Sequence, residues 1–131
     1  YWGIEDSGDT GPRLIEKWNV QAVYHPLVTP ASGQIHWLPY YLVNDPNWSL
    51  AAMDESSVLF TRIAAGSVDE HTRNLQKMAY WRRVVIEAKM VEFTSGRQDS
   101  EDRARRIVDY AQTRIGELQN LYQFENAEMP R

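Results

Sequence analysis

The run from Val68 to Thr94 holds no Gly or Pro and carries apolar side chains on two separate faces. At about 100° per residue, one stripe contains Leu75, Ala79, Ile86, Met90 and Phe93. A second, wider stripe contains Tyr80, Trp81, Val84, Val85, Ala88 and Val91. Arg82 and Lys89 separate the two on one side, and Gln76, Arg83 and Glu87 separate them on the other. One antiparallel partner helix covers only one stripe. The other needs a second cover, either the chain's own β structure or a neighbouring subunit. A buried side chain of this kind contributes roughly 1.5–3 kcal/mol, so five or six left in water are untenable. This demand makes Tyr80, Trp81, Val84, Ala88 and Val91 the candidate subunit interface.

The helix has a start signal. Ser67-Val68-Asp69-Glu70 fits a capping box, with Ser67 as the N-cap and Glu70 reaching back to it. Ser95-Gly96-Arg97-Gln98-Asp99 reads as a turn, after which Asp99 or Ser100 caps a last helix to about Tyr122. That helix has one apolar stripe, Ala104, Ile107, Ala111, Ile115, Leu118 and Tyr122, and a polar face at Asp102, Asp109, Thr113 and Asn120. Gly116 falls on the polar face, where only a close contact or a bend would account for it.

Upstream, the pattern changes. Residues 1–12 are rich in Gly and acids and read as an extended arm. Residues 13–43 read as a β-hairpin. Trp18, Val20, Ala22 and Tyr24 alternate with polar positions, and a second run from Gln34 to Val43 is apolar on both faces. Pro39 places that second strand at an edge or breaks it. A helix is expected over 49–65, closed by Gly66, and an aperiodic tail over 124–131. The expected fold is therefore α+β, with one domain over 13–123. An N-terminal arm and β-hairpin lead into a short helix and then a long antiparallel helical hairpin over 67–122.

Composition narrows the function. The chain has 131 residues, enough for one core, and ordinary globular proportions of 43% hydrophobic and 24% charged residues. Five Trp and seven Tyr give an aromatic supply suited to cores and interfaces alike. A net charge of −4 argues against phosphate as the partner of the whole surface. The absence of Cys removes disulfides, thiolate nucleophiles and Cys-based zinc sites, as fits a reducing compartment. No run approaches the roughly 20 apolar residues of a membrane span, so no membrane partner is expected. The chain opens on Tyr1 rather than Met, as expected of a processed product or an excerpt.

No catalytic motif stands out. His25, His36 and His71 have no metal-ligand spacing, and His25 and His36 are placed to face each other across the hairpin as a structural pair. A ligand-binding domain would need a concave site around His25, His36, Trp37 and Tyr41. Acidic pairs such as Asp69-Glu70 and Glu101-Asp102 sit at helix starts, where the helix dipole explains them. Neither a cofactor nor a metal is expected. Arg82, Arg83, Arg97, Arg103 and Arg106 form a candidate basic patch around the hairpin, interleaved with acids that largely cancel it.

The segment Met78-Ala79-Tyr80-Trp81-Arg82-Arg83-Val84-Val85-Ile86-Glu87-Ala88, followed by Phe93, a Gly-containing turn and Ser100-Glu101-Asp102-Arg103-Ala104, resembles the helical hairpin of tailed-bacteriophage head-to-tail connector (adaptor) proteins. The resemblance spans roughly residues 75–122, while the β-hairpin upstream departs from the usual helices-first order. It implies a non-enzymatic structural subunit of a virion, assembled in the host cytoplasm as a homo-oligomer or ring against portal or tail proteins. The alternatives are a cytoplasmic accessory subunit of a multi-protein enzyme complex and a small nucleic-acid-contacting domain.

Overall fold

The computed structural model describes residues 10–29, 34–54 and 57–128. Its elements, in chain order, are α1 (Thr10–Lys17), β1 (Ala22–Pro26), α2 (Trp37–Val43), β2 (Trp48–Met53), β3 (Ser57–Arg62), α3 (Glu70–Thr94) and α4 (Gln98–Glu128). The fold is α+β: a three-stranded antiparallel sheet of order β1-β3-β2 accompanies a long helical hairpin, α3–α4.

The N-terminal third departs from the expected β-hairpin over 13–43. Residues 10–17 form a helix, and the turn after it places Asn19 at φ 50, a left-handed conformation that Asn tolerates well. Only residues 22–26 of the first expected strand are extended, and their inward side is the opposite of the expected one. Val23 and His25 turn inward, whereas Trp18 and Tyr24 are exposed. The second expected strand is the helix α2, which buries Leu38, Pro39, Leu42 and Val43. Pro39 sits in the first turn of α2, where a missing N–H breaks no helical bond. A single bridge, Val28 to Ile35, remains of the expected pairing. Of the expected arm, residues 1–9 lie outside the described residues.

The helix expected over 49–65 is instead the β2–β3 hairpin. Val58 and Phe60 alternate inward from β3, the central strand, and both are fully buried. The β2–β3 register slips between Leu50 and Ala52, leaving a bulge on β2. Arg62 ties this sheet to α1. Its Nε donates to the Val20 carbonyl at 2.8 Å, its Nη1 pairs with Glu16 at 2.9 Å, and the guanidinium lies 4.8 Å over the Trp48 ring.

The helical hairpin stands, with altered ends. Asp69 rather than Ser67 is the N-cap of α3, and its carboxylate accepts the Thr72 N–H at 2.7 Å. That bond holds the Asp69 carboxyl below its ordinary range. Ser67 instead donates to the Ala64 carbonyl. Gly96 turns the chain at φ 68 between the helices. Ala88 on α3 and Ala104 and Ala111 on α4 are fully buried, and their small side chains allow the two helices to approach closely. The helix α4 runs on to Glu128, through most of the stretch expected to be an aperiodic tail.

Candidate protein interface

The wide stripe of α3 faces inward. Tyr80, Val84 and Ala88 have no exposed surface, and Trp81 and Val91 have almost none. They join one continuous core with Ala104, Val108, Ala111 and Leu118 of α4 and with Leu38, Leu42, Trp48 and Phe60 from the N-terminal half. Trp81 is the hub of an aromatic cluster. Tyr40, Tyr80 and Tyr110 meet it edge-on, with ring centroids 5.9, 4.9 and 5.4 Å away. The candidate interface of Tyr80, Trp81, Val84, Ala88 and Val91 is therefore not an available surface. The chain covers it itself, because α4, α2 and the sheet together supply the second layer that one partner helix lacks.

The narrow stripe is the one left uncovered. Leu75 is 45% exposed, Ile86 52%, Met90 58% and Phe93 90%. These residues lie along one face of α3 over about 27 Å. On one flank, Gln76 binds the edge of β2, donating to Ser49 Oγ at 3.0 Å and accepting the Leu50 N–H at 3.1 Å. Glu87, further along that flank, has its carboxyl raised, first by burial and also by Asp54, against the opposing pull of Arg83. On the other flank Arg82 and Lys89 are exposed. Among the described residues none of Arg82, Arg83 and Lys89 makes an ion pair within 4.0 Å.

The arginines of the expected basic patch are spread over the hairpin, Arg82 and Arg83 on α3, Arg97 in the turn and Arg103 and Arg106 on α4. Acids are threaded between them. Arg97 pairs with Asp99 at 3.5 Å, and Arg105 with Glu92 and Asp102 at 3.4 and 3.3 Å. A different group of cations does gather, at Arg73, Lys77 and Arg114. Burial lowers the Arg73 and Lys77 pKa values, and for Lys77 both arginines lower it further. Pattern reading missed this group because Arg114 is remote in sequence.

The histidine pair forms as expected, beside the antiparallel Val28–Ile35 bridge that is left of the expected hairpin. The rings of His25 on β1 and His36 before α2 meet edge-on at 4.8 Å, with His25 Nδ1 placed 2.8 Å from the Pro26 carbonyl and His36 Nε2 3.1 Å from Thr29 Oγ1. Neither lines the cleft nearby, an open hollow of about 500 Å³ bounded by Trp37, Tyr40, Tyr41, Asn44, Asp45 and Asn47 among others. Its polar groups largely serve one another. Asn44 donates to the Tyr40 carbonyl, and Asp45 accepts the Asn47 N–H. The Tyr41 hydroxyl is raised by burial first and by its bond to Asp45 second. The stacked Trp37 and Tyr41 rings, 4.9 Å apart, fill much of its wall.

Among the described residues no group of three His, Asp or Glu is placed to hold a metal ion, and no helix is long and apolar enough to cross a membrane. The chain is thus an α+β protein built on a helical hairpin with one dry and one exposed apolar stripe. Comparison with family models, with characterised proteins and with solved structures finds no match.

Proposed function

We propose that this chain is a non-enzymatic structural subunit that docks neighbouring protein subunits on the outer stripe of α3. The observation that carries the reading is the exposure of Leu75, Ile86, Met90 and Phe93 along one helix face while the opposite face is fully packed. Burying what remains exposed would contribute about 1 kcal/mol each for the half-exposed Leu75, Ile86 and Met90 and roughly 1.5–3 kcal/mol for Phe93, enough together to support a contact. The likeness of residues 75–122 to connector hairpins supplies the setting: a head-to-tail connector or neck subunit of a virion, assembled as a homo-oligomer or against portal or tail proteins.

The test is co-expression with the proteins encoded beside it, followed by light scattering. The expected result is an assembly heavier than the 15.2 kDa chain, which the Ile86→Ser/Phe93→Ser variant fails to form while keeping its helical circular dichroism. A chain that stays a monomer alone and with each neighbour overturns the reading.

A further inference from the structure

The hollow beside α2 is walled by aromatic rings and one acid. Trp37, Tyr40 and Tyr41 line it from α2, and Asn44, Asp45 and Asn47 close it from the turn that follows. Among the described residues no Lys or Arg reaches its wall. Asp45 accepts the Asn47 N–H through one oxygen at 2.8 Å and is bonded by the Tyr41 hydroxyl. A carboxylate offers about four acceptor positions, so these two bonds hold its orientation and leave about half of its capacity open. Glu16 adds to the negative field: after burial, both Asp45 and Glu16 raise the Tyr41 hydroxyl. Two cations lie near without entering the hollow. Arg62 is committed to Glu16 at 2.9 Å. Arg73 lies within the field of Asp45 but makes no ion pair within 4.0 Å among the described residues.

The chain itself shows what an aromatic ring beside a carboxylate holds. The Arg62 guanidinium lies 4.8 Å over the Trp48 ring while its Nη1 pairs with Glu16. A planar guanidinium stacks on a ring and pairs with a carboxylate through its edge at the same time, whereas an ammonium is a compact, strongly hydrated point charge. We infer that the hollow binds a guanidinium group, stacked against the Trp37–Tyr41 wall with its N–H fork on the open positions of Asp45. A volume of about 500 Å³ admits the group together with its alkyl chain. A free guanidino compound and an arginine side chain of a polypeptide present the same chemistry. The hollow shares no residue with the outer stripe of α3, so this site stands or falls apart from the docking role proposed above.

The test titrates the full ¹⁵N-labelled chain by NMR with arginine amide, with its neutral counterpart citrulline amide, and with lysine amide. Arginine amide is expected to give saturable shifts centred on the Trp37 indole N–H and the Asn44, Asp45 and Asn47 amides. Citrulline amide and lysine amide should bind at least about tenfold more weakly. Asp45→Asn keeps an oxygen for the Asn47 N–H and should lose about tenfold in affinity for arginine amide. Trp37→Leu should weaken it as well, and Phe93→Ser on the outer stripe should leave it unchanged. Spectral dispersion shows that each variant is folded. A capped peptide with one Arg among Gly residues separates the two sources. Tighter binding than arginine amide assigns the site to a polypeptide, and equal or weaker binding assigns it to a free guanidino compound. Citrulline amide or lysine amide matching arginine amide overturns the inference. So does an affinity that survives Asp45→Asn, or the absence of saturable shifts with both arginine amide and the peptide.

Discussion

Gln76 on α3 takes the place of a missing strand beside Leu50: its side-chain oxygen accepts the Leu50 N–H at 3.1 Å, while its Nε2 donates to Ser49 Oγ at 3.0 Å. The strand β2 is an edge of the sheet and bulges at this point. One side chain thus satisfies an orphan backbone donor and fastens the sheet to the hairpin. Gln76→Ala leaves that donor half-buried and unpaired, and is expected to cost about 1–3 kcal/mol. Urea unfolding should show the loss as a lower midpoint with an unchanged slope.

Ala88 separates a core position from a docking position. It is fully buried against α4, so Ala88→Leu should overpack the hairpin and cost about 1–3 kcal/mol. A docking residue would give the opposite pattern, with stability retained and association lost. Thermal unfolding of the isolated chain decides between the two.

Gly116 is the simplest route to a more stable protein. It lies within α4, and a Cβ built on it meets nothing within 4 Å. The close contact that would have justified a glycine is absent, so Gly116→Ala is expected to add about 0.5–1 kcal/mol by lowering the entropy of the unfolded chain. Denaturant titration measures it directly.

Tyr80 links stability to alkaline pH. Its hydroxyl is fully buried with no hydrogen-bond partner among the described residues, and burial raises its pKa far above the ordinary value of about 10. The unfolded chain therefore ionises first. The stability this group contributes is complete below about pH 10 and falls by about 1.4 kcal/mol for each unit above it while the folded form stays protonated. Tyr80→Phe should match or exceed the wild type at neutral pH and lose stability less steeply above pH 10. Paired urea titrations from about pH 8 to about pH 11 give the difference. An equally steep decline in the variant counts against the assignment.

The hairpin was legible because α3 and α4 are long. Over 25 and 31 residues the helical period repeats often enough to define stripes, and Gly96 marks the break. The N-terminal half offers no such length. In the seven residues of α2, inward positions at Leu38, Pro39, Leu42 and Val43 look like a strand apolar on both faces, and Pro39 fits a helix start as well as a strand edge. The Leu50-Ala51-Ala52-Met53 stretch favours helix locally, yet the buried Val58 and Phe60, paired with Met53 and Leu50, belong to a central strand that needs partners on both sides, and packing overrides propensity. Which stripe of α3 stays exposed is illegible for a different reason. Both stripes of α3 were read correctly, but periodicity carries no information about which one the rest of the chain reaches. The wide stripe, with its two rings and four small aliphatic side chains, is the better core surface, and the narrow stripe is left over.

The position of β3 in the sheet has a consequence for how the chain folds. The central strand pairs with β2 across a short turn, and α3 pairs with α4 across another, so both units close over small loops. The strand β1 must find β3 from much further away, with His25 opposite Val58 and Ala22 opposite Thr61. The larger loop-closure entropy places the capture of β1 after both hairpins have formed. Until then one edge of β3 is open, and the same strand from a second molecule fits it equally well. Pulse-labelled hydrogen exchange during refolding should find β1 amides protected last. Refolding at high concentration should produce strand-exchanged dimers that dilution through the unfolded state removes.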